Sequence, residues 1–312
     1  MRRAFLALLS IFAFVVAGSR ETPAPSTDIG EMTAPNNTRP IFGLALGGGG
    51  AKAAAEIGVL KYLEKEGVKI DCIVGTSMGA VVGGLFAVGY SAEEIETMWL
   101  NEDWLTLFDE TAVFVGGDRT IFGLVKGDDF EHALREMLEL KGCRRIEETR
   151  IKFGCVATNI IDENTLSEKD FTTGDMAKAI RASMTYPVGY SPVLYDGMKL
   201  VDGGLLNNLP VDVVKSMGSK KVIAVDLEKR QRNNRMNINI NAGLGWLGNW
   251  LLTHHADVNK RNENRRLADI YIHPDLSEFG ITDFGQMDAK DMIFYGEDEA
   301  SKYRNALRGE DA

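Results

Sequence analysis

The chain has 312 residues, 45% of them hydrophobic, and this length favours a single α/β domain with an appendage over two independent domains. Its formal net charge of −10 argues against nucleic acid as a partner and disfavours an anionic membrane unless the contact is local and apolar. The three cysteines are an odd number without a zinc-like spacing, which argues against a disulfide framework, and Cys72 and Cys155 fall in apolar runs that predict buried thiols.

Residues 1–19 have the pattern of a signal peptide. Arg2 and Arg3 precede an apolar run over 4–16, and small residues end the segment at Ser19. The apolar run is shorter than the roughly 20 residues of a membrane span, so we predict cleavage after Ser19, with a retained anchor as the alternative.

The next segment, residues 20–40, is rich in Pro, Thr and Asn, and this composition predicts a disordered lead-in. With a signal peptide in front of it, the protein is expected to be exported and to be periplasmic, envelope-associated or secreted.

From residue 41 onward, short apolar runs alternate with helical patterns. The runs 41–47 and 69–75 each precede a helix, the second of which begins near Met78, and Ser91 with Glu94 forms a capping box that opens the next helix. Two later runs, "IKFGCVATNI" and "KKVIAVDL", are too uniformly apolar for strands with one face in water. The alternation predicts an α/β fold of three layers, with a mostly parallel central sheet between helices.

The stretch "GTSMG" places Ser77 between Gly75 and Gly79, after a predicted strand and before a predicted helix. This context is typical of a nucleophile elbow, in which a serine occupies an unfavourable backbone conformation at a sharp strand-to-helix turn and needs small neighbours. The alternative is a tight glycine-rich loop with an idle serine.

A glycine-rich loop, "LGGGGAK", follows the first predicted strand, and its backbone N–H groups are suited to bind an anion. One candidate anion is a dinucleotide pyrophosphate, but the second strand then runs into Ser77 where a dinucleotide fold needs an acidic residue. A Walker-type nucleotide loop is also excluded, because Lys52 is followed by Ala53 instead of Ser or Thr. The remaining candidate is the oxyanion of an acyl-transfer intermediate.

A nucleophilic serine needs a base, and no histidine occupies a suitable loop after a strand. The four histidines are His132, His254, His255 and His273. Asp202 in "KLVDGGLLNNLPVDVV" is a better candidate, since Gly203 and Gly204 let the backbone turn away beside it. A desolvated aspartate hydrogen-bonded to the serine can accept its proton, although the same "DGG" is also typical of an ordinary turn.

Together, "GGGGAK", "GTSMG", "IRASMTYP" and "VDGGLLNNLPVDVV" resemble the patatin-like phospholipase family, particularly its small bacterial branch. The resemblance runs over residues 41–228, the expected catalytic domain, and implies the family's fold and a Ser-Asp dyad without histidine. It implies that Ser77 is the nucleophile and Asp202 the general base. The implied oxyanion hole consists of the N–H groups of Gly48, Gly49 and Gly50. The implied supporting residues are Lys52, Gly75, Gly79, Gly203 and Gly204.

The chain departs from the family pattern at three positions of the first helix. Lys52 and Ala53 stand where the family commonly has Arg and Gly, and Glu56 stands where it often has histidine. Because Ser77 and Asp202 are both present, the resemblance implies an active acyl hydrolase of phospholipids, lysophospholipids or related acyl esters, without a metal or other cofactor. The alternative is an exported, non-catalytic lipid-binding module on the same fold.

The remaining residues, 229–312, are predicted to form a helical and strand extension packed on the same domain. Within it, the segment 243–255 carries Trp246 and Trp250 at helical spacing. These tryptophans are candidates for a transient membrane-surface contact, and the alternative is a helix packed on the sheet.

Overall fold

A computed structural model describes residues 41–101, 127–162, 165–186, 190–228 and 258–310, and the eight strands in these ranges form one mixed sheet. The predicted signal peptide, the lead-in and the segment 243–255 lie outside the described residues. In chain order the strands are β1 Ile41–Leu46, β2 Lys69–Thr76, β3 Lys152–Asp162, β4 Thr165–Phe171, β5 Val193–Tyr195, β6 Met198–Asp202, β7 Lys221–Val225 and β8 Ile270–Ile272.

The strand order is β5-β6-β3-β2-β1-β7-β8, with β4 also paired to β3. The pairs along β3-β2-β1-β7-β8 are parallel, which confirms the predicted mostly parallel sheet. Strands β4, β5 and β6 form an antiparallel arm on the second half of β3. This arm was not predicted, and it brings Asp202 opposite Ala157 at the end of the parallel strands.

Helices cover both faces of the sheet, as predicted. Within the described ranges they are α1 Ala54–Lys65, α2 Met78–Ala87, α3 Ala92–Trp99, α4 Asp128–Leu140, α5 Met176–Ser183, α6 Val211–Ser216, α7 Val258–Leu267, α8 Gln286–Ser301 and α9 Arg304–Arg308. Helix α2 begins at Met78 as expected, and the Ser91–Glu94 capping box of α3 is confirmed. None of the helices in these ranges is both long and apolar enough to span a bilayer.

The alternation of side chains along the central strands divides the core into two clusters. Leu44 and Ile73 face the larger cluster, which is formed with α1 to α5 and α8, whereas Ala45 and Val74 face a smaller one formed with α6. Every one of these residues is fully buried, so the parallel strands have no face in water. Cys72, Cys143 and Cys155 are likewise buried and are free thiols, as predicted for Cys72 and Cys155.

The C-terminal helix α8 lies directly on α1. A Cβ atom added to Gly58 would overlap the backbone of Ile293, and one added to Gly296 would overlap the backbone of Ala55. This close approach explains why α1 is buried around almost its whole circumference, including the side chain of Glu56.

Candidate active site

Ser77 occupies the sharp turn between β2 and α2. Its backbone has φ 54° and ψ −128°, a conformation that non-glycine residues rarely adopt and that costs about 1–3 kcal/mol. A Cβ atom on Gly79 would lie 2.6 Å from the carbonyl oxygen of Gly47, and one on Gly75 would lie 2.5 Å from the backbone of Ala80. The glycines at these two positions are therefore required by the close passage of the neighbouring backbone.

Asp202 ends β6 and contacts Ser77 directly. The Ser77 hydroxyl donates a hydrogen bond of 2.7 Å to Asp202 Oδ2. The Gly204 N–H donates to Asp202 Oδ1 at 2.8 Å, and the Asp202 N–H donates to the carbonyl of Thr185 at 2.8 Å. The Gly204 N–H therefore holds one carboxylate oxygen, the Thr185 carbonyl holds the Asp202 backbone, and the other carboxylate oxygen faces the serine hydroxyl.

Burial governs the protonation of this carboxylate. Asp202 is only 5% exposed, and the loss of solvation raises its pKa to about 6, against the lowering effect of the hydrogen bonds from Ser77 and Gly204. The carboxylate remains mostly ionised at neutral pH and is a stronger base than an exposed aspartate. Gly203 permits this placement, because a Cβ atom there would overlap the backbone of Val156.

The glycine-rich loop lies beside Ser77, since a Cβ atom on Gly48 would lie 3.0 Å from the Ser77 Cβ. The Gly48 N–H, however, donates to the carbonyl of Asn208 at 3.1 Å. In this structure Gly48 is thus not a free donor, contrary to the expectation for all three glycines. In the described part of the chain, the N–H groups of Gly49 and Gly50 have no acceptor and are available as hydrogen-bond donors.

Lys52 is 5% exposed and belongs to the 3₁₀ turn Gly50–Ala53 that follows the glycine loop. Burial raises the pKa of the nearby Glu228 carboxyl, and the positive charges of Arg261 and Lys52 oppose this rise. The structure therefore places Lys52 close enough to Glu228 for its charge to act on that carboxyl.

The described histidines make their contacts elsewhere. His132 pairs with Glu136 on the surface of α4, and His273 hydrogen-bonds to the backbone carbonyl of Glu228. His254 and His255 lie outside the described residues.

Sequence reasoning missed two polar residues of the site. The Ser183 hydroxyl accepts the N–H of Ser77 at 2.9 Å and donates to the carbonyl of Val156 at 2.6 Å, which ties the elbow to α5 and β3. Asn208 binds both backbone polar groups of Gly48. Ser183 lies in "IRASMTYP" and Asn208 in "NNLP". Both residues thus belong to motifs that the sequence analysis identified, but it assigned no role to either side chain.

Glu56 is a second buried carboxyl, on α1 behind the glycine loop. It is fully buried, and neither carboxylate oxygen has a hydrogen-bond partner in the described structure. This burial raises its pKa well above the ordinary value, although the backbone of Gly47 has a lowering effect. The buried Glu56 carboxyl therefore favours its neutral form more than an exposed glutamate does.

We expect Glu56→Met to stabilise the protein at pH 8. The Glu56 carboxyl ionises at a lower pH in the unfolded chain than in the folded protein. Between these two pKa values the parent therefore loses folding stability as the pH rises, whereas the variant, which has no carboxyl there, does not. The advantage of the variant should shrink toward pH 4.5. Denaturant unfolding of both proteins across this range measures it, with the exposed Glu93→Met as the control. A difference that does not change with pH contradicts the assignment.

The chain is similar in sequence to several known proteins. The sequence model of one family, described as patatin-like phospholipase, matches residues 44–215. Lysophospholipase NTE1 of Candida albicans is 30% identical in an alignment 273 residues long, which covers 79% of this chain and 19% of that protein. Patatin-like phospholipase domain-containing protein 7 of Rattus norvegicus is 31% identical over 271 residues, covering 78% of this chain and 19% of that protein.

This chain thus spans about a fifth of the length of these curated relatives. The relatives are fungal and animal proteins, so the expected place in a small bacterial branch is not borne out. A solved structure, the ExoU–SpcU complex of Pseudomonas aeruginosa, aligns with a TM-score of 0.48 and 14% identity over 87% of this chain and 52% of that chain.

Proposed function

Because the chain belongs to the patatin-like phospholipase family, we propose that it is a serine acyl hydrolase that cleaves fatty-acyl esters of phospholipids, lysophospholipids or related lipids. The observation that carries the proposal is the 2.7 Å hydrogen bond from the hydroxyl of Ser77, at a strained elbow, to the buried carboxylate of Asp202. A relative named lysophospholipase supports the lipid class of the substrate.

In the proposed reaction, Ser77 Oγ attacks the ester carbonyl carbon while Asp202 accepts the hydroxyl proton. The carbonyl oxygen takes up negative charge, which the N–H groups of Gly49 and Gly50 stabilise. Collapse of this intermediate breaks the ester C–O bond, and Asp202 returns the proton to the departing alcohol. The fatty acyl group remains on Ser77 as an ester.

Deacylation repeats these steps with water as the nucleophile. Asp202 accepts a proton from water while the water oxygen adds to the acyl carbon. Collapse then breaks the bond between the acyl carbon and Ser77 Oγ, Asp202 returns the proton to Oγ, and the fatty acid is released. The Asp202 carboxylate is suited both to accept a proton and to return it, because its raised pKa of about 6 lies close to neutral pH.

A fluorophosphonate probe tests the proposal directly. Such probes form a covalent bond with an activated serine, so we expect labelling of Ser77 in the folded protein, located by peptide mass analysis, and none after heat unfolding. The folded protein should also hydrolyse a chromogenic fatty-acyl ester, and this activity should disappear after heat unfolding together with the labelling. A folded protein that takes up no label and cleaves no ester supports the non-catalytic lipid-binding alternative instead.

We also propose that Trp246 and Trp250 contact the membrane surface. Both residues lie outside the described structure. Aromatic and aliphatic side chains on one helix face bind at the boundary between lipid headgroups and acyl chains. Co-sedimentation with liposomes before and after replacing both tryptophans with alanine measures the contact.

A further inference from the structure

Asn208 has a central position between the two halves of the site. It follows the 3₁₀ turn Gly203–Leu205, and a Cβ atom added to Gly204 would lie 2.6 Å from Asn208 Oδ1 and 3.1 Å from Asp202 Oδ1. A Cβ atom added to Gly48 would overlap the same Asn208 oxygen. The Asn208 carboxamide therefore lies between the glycine loop and the turn that follows Asp202.

Asn208 holds Gly48 through both of its backbone polar groups. The Gly48 N–H donates to the Asn208 carbonyl at 3.1 Å, and Asn208 Nδ2 donates to the Gly48 carbonyl at 3.1 Å. The loop Gly47–Gly50 has no side chains of its own, so backbone hydrogen bonds of this kind are what orient its peptide planes.

The second of these bonds bears on the oxyanion site. The Gly48 carbonyl and the Gly49 N–H belong to one peptide unit, which is planar, and in a trans unit the two groups point in opposite directions. Fixing the carbonyl on one side therefore fixes the direction of the N–H on the other. Within the glycine loop, the Gly49 N–H is one of the two N–H groups for which the described structure shows no acceptor.

The Asn208 carboxamide is in turn held by acidic and basic side chains. Its Nδ2 also donates to Glu228 Oε1 at 2.8 Å, and Arg261 Nη1 lies 3.0 Å from Glu228 Oε2. Arg261 is itself fixed by two hydrogen bonds to Asp226, of 2.8 and 2.9 Å. Because a carbonyl and a carboxylate both only accept, the nitrogen of Asn208 must face Gly48 and Glu228, and the flipped carboxamide is excluded.

We propose that Asn208 is a positioning residue that directs the Gly49 N–H at the developing oxyanion, with Glu228 holding the Asn208 carboxamide in place. The inference rests on the proposed hydrolase function, because it concerns a donor that acts only during acyl transfer. It assigns to the second asparagine of "NNLP" a role in the rate of the chemical step and none in substrate binding.

Asn208→Ala tests this role. We expect kcat to fall about 10- to 100-fold, because a misdirected oxyanion donor loses most of its effect, while KM stays within about threefold. The rate of fluorophosphonate labelling should fall in parallel. A purely structural role would instead lower the folded fraction and leave kcat per folded molecule unchanged.

The adjacent Asn207 gives a matched control. Its Nδ2 also makes two hydrogen bonds to carboxylates, 2.9 Å to Glu168 and 2.9 Å to Asp212, and its side chain is 1% exposed. Its Oδ1 accepts a third hydrogen bond, from Asn264 Nδ2 at 2.9 Å, so Asn207→Ala removes one more side-chain hydrogen bond than Asn208→Ala without touching the glycine loop. We expect it to lower the thermal midpoint and to keep kcat per folded molecule within about twofold.

Glu228→Ala provides a second variant that should fold, because its side chain is 35% exposed. We expect a three- to tenfold loss in kcat in the parent background and no further loss in the Asn208→Ala background, since Glu228 acts through Asn208. The proposal is overturned if Asn208→Ala keeps kcat within twofold of the parent. If Asn208→Ala does not fold, an unchanged kcat in Glu228→Ala overturns it. A parent that neither hydrolyses ester nor takes up label refutes the proposed function as well.

Discussion

Ser77→Ala is expected to lower ester hydrolysis by at least about 10⁴-fold and to abolish fluorophosphonate labelling. The hydroxyl is the atom that forms the acyl-enzyme, and loss of a nucleophile from a serine hydrolase removes nearly all catalysis beyond binding and oxyanion stabilisation. The measurement is the initial rate with a chromogenic fatty-acyl ester, with folding monitored by circular dichroism.

Ser216→Ala is the control for this variant. The Ser216 hydroxyl donates a hydrogen bond to the backbone carbonyl of Val213 within α6 and lies outside the site. The activity of Ser216→Ala should therefore equal that of the parent. If Ser77→Ala retains a tenth or more of the parent rate, Ser77 is not the nucleophile.

The backbone of Ser77 adds a stability readout to the same experiment. At φ 54° and ψ −128°, glycine is accommodated with less strain than alanine. Ser77→Gly should therefore be equally inactive but more stable than Ser77→Ala by about 1 kcal/mol. Equal stability of the two variants would show that the turn is not strained in solution.

Asp202→Asn is expected to lower kcat by about 10³-fold or more while the protein stays folded. The amide oxygen can still accept the Gly204 N–H, but the amide nitrogen then donates toward the Ser77 hydroxyl and cannot take its proton. Loss of a general base typically costs 10² to 10⁴ in rate. Asp71→Asn, an exposed position near the start of β2, is the matched control.

The pH dependence provides a separate check on Asp202. In the parent, kcat/KM should fall about tenfold per pH unit below pH 6, because burial raises the pKa of Asp202 to about 6 and the protonated acid cannot act as a base. The residual activity of Asp202→Asn should lack this acid limb. A parent profile that is flat between pH 5 and 8 would contradict the assignment of the base.

The raised pKa of Asp202 also makes folding stability depend on pH, and stability falls over the pH range in which activity rises. A carboxyl whose pKa is higher in the folded than in the unfolded state stabilises the fold when protonated, and this contribution is lost as the pH rises from about 4 to about 6. Relative to Asp202→Asn, the parent should therefore lose stability over this interval.

Much of the site was predictable because its parts are local. The strand, the turn at Ser77 and the helix that begins at Met78 are specified by neighbouring residues, and the small residues at Gly75 and Gly79 follow from close packing at the turn. The pairing of Ser77 with Asp202 spans 125 positions. The residues around Asp202 made it a candidate base but left an ordinary turn as the alternative, and the resemblance of four motifs to a known family favoured the base.

By itself, the sequence determined the alternation of buried strands and helices, the mostly parallel sheet and the strained elbow. Each depends on hydrophobic periodicity or steric limits within a few residues. Only the tertiary structure decided that an antiparallel arm carries Asp202 and that the Asn208 carbonyl accepts the Gly48 N–H from 160 positions away. It also decided that the Glu56 carboxylate is buried with no hydrogen-bond partner in the described residues. These outcomes depend on contacts between distant segments, and no local pattern encodes which backbone group such a contact satisfies.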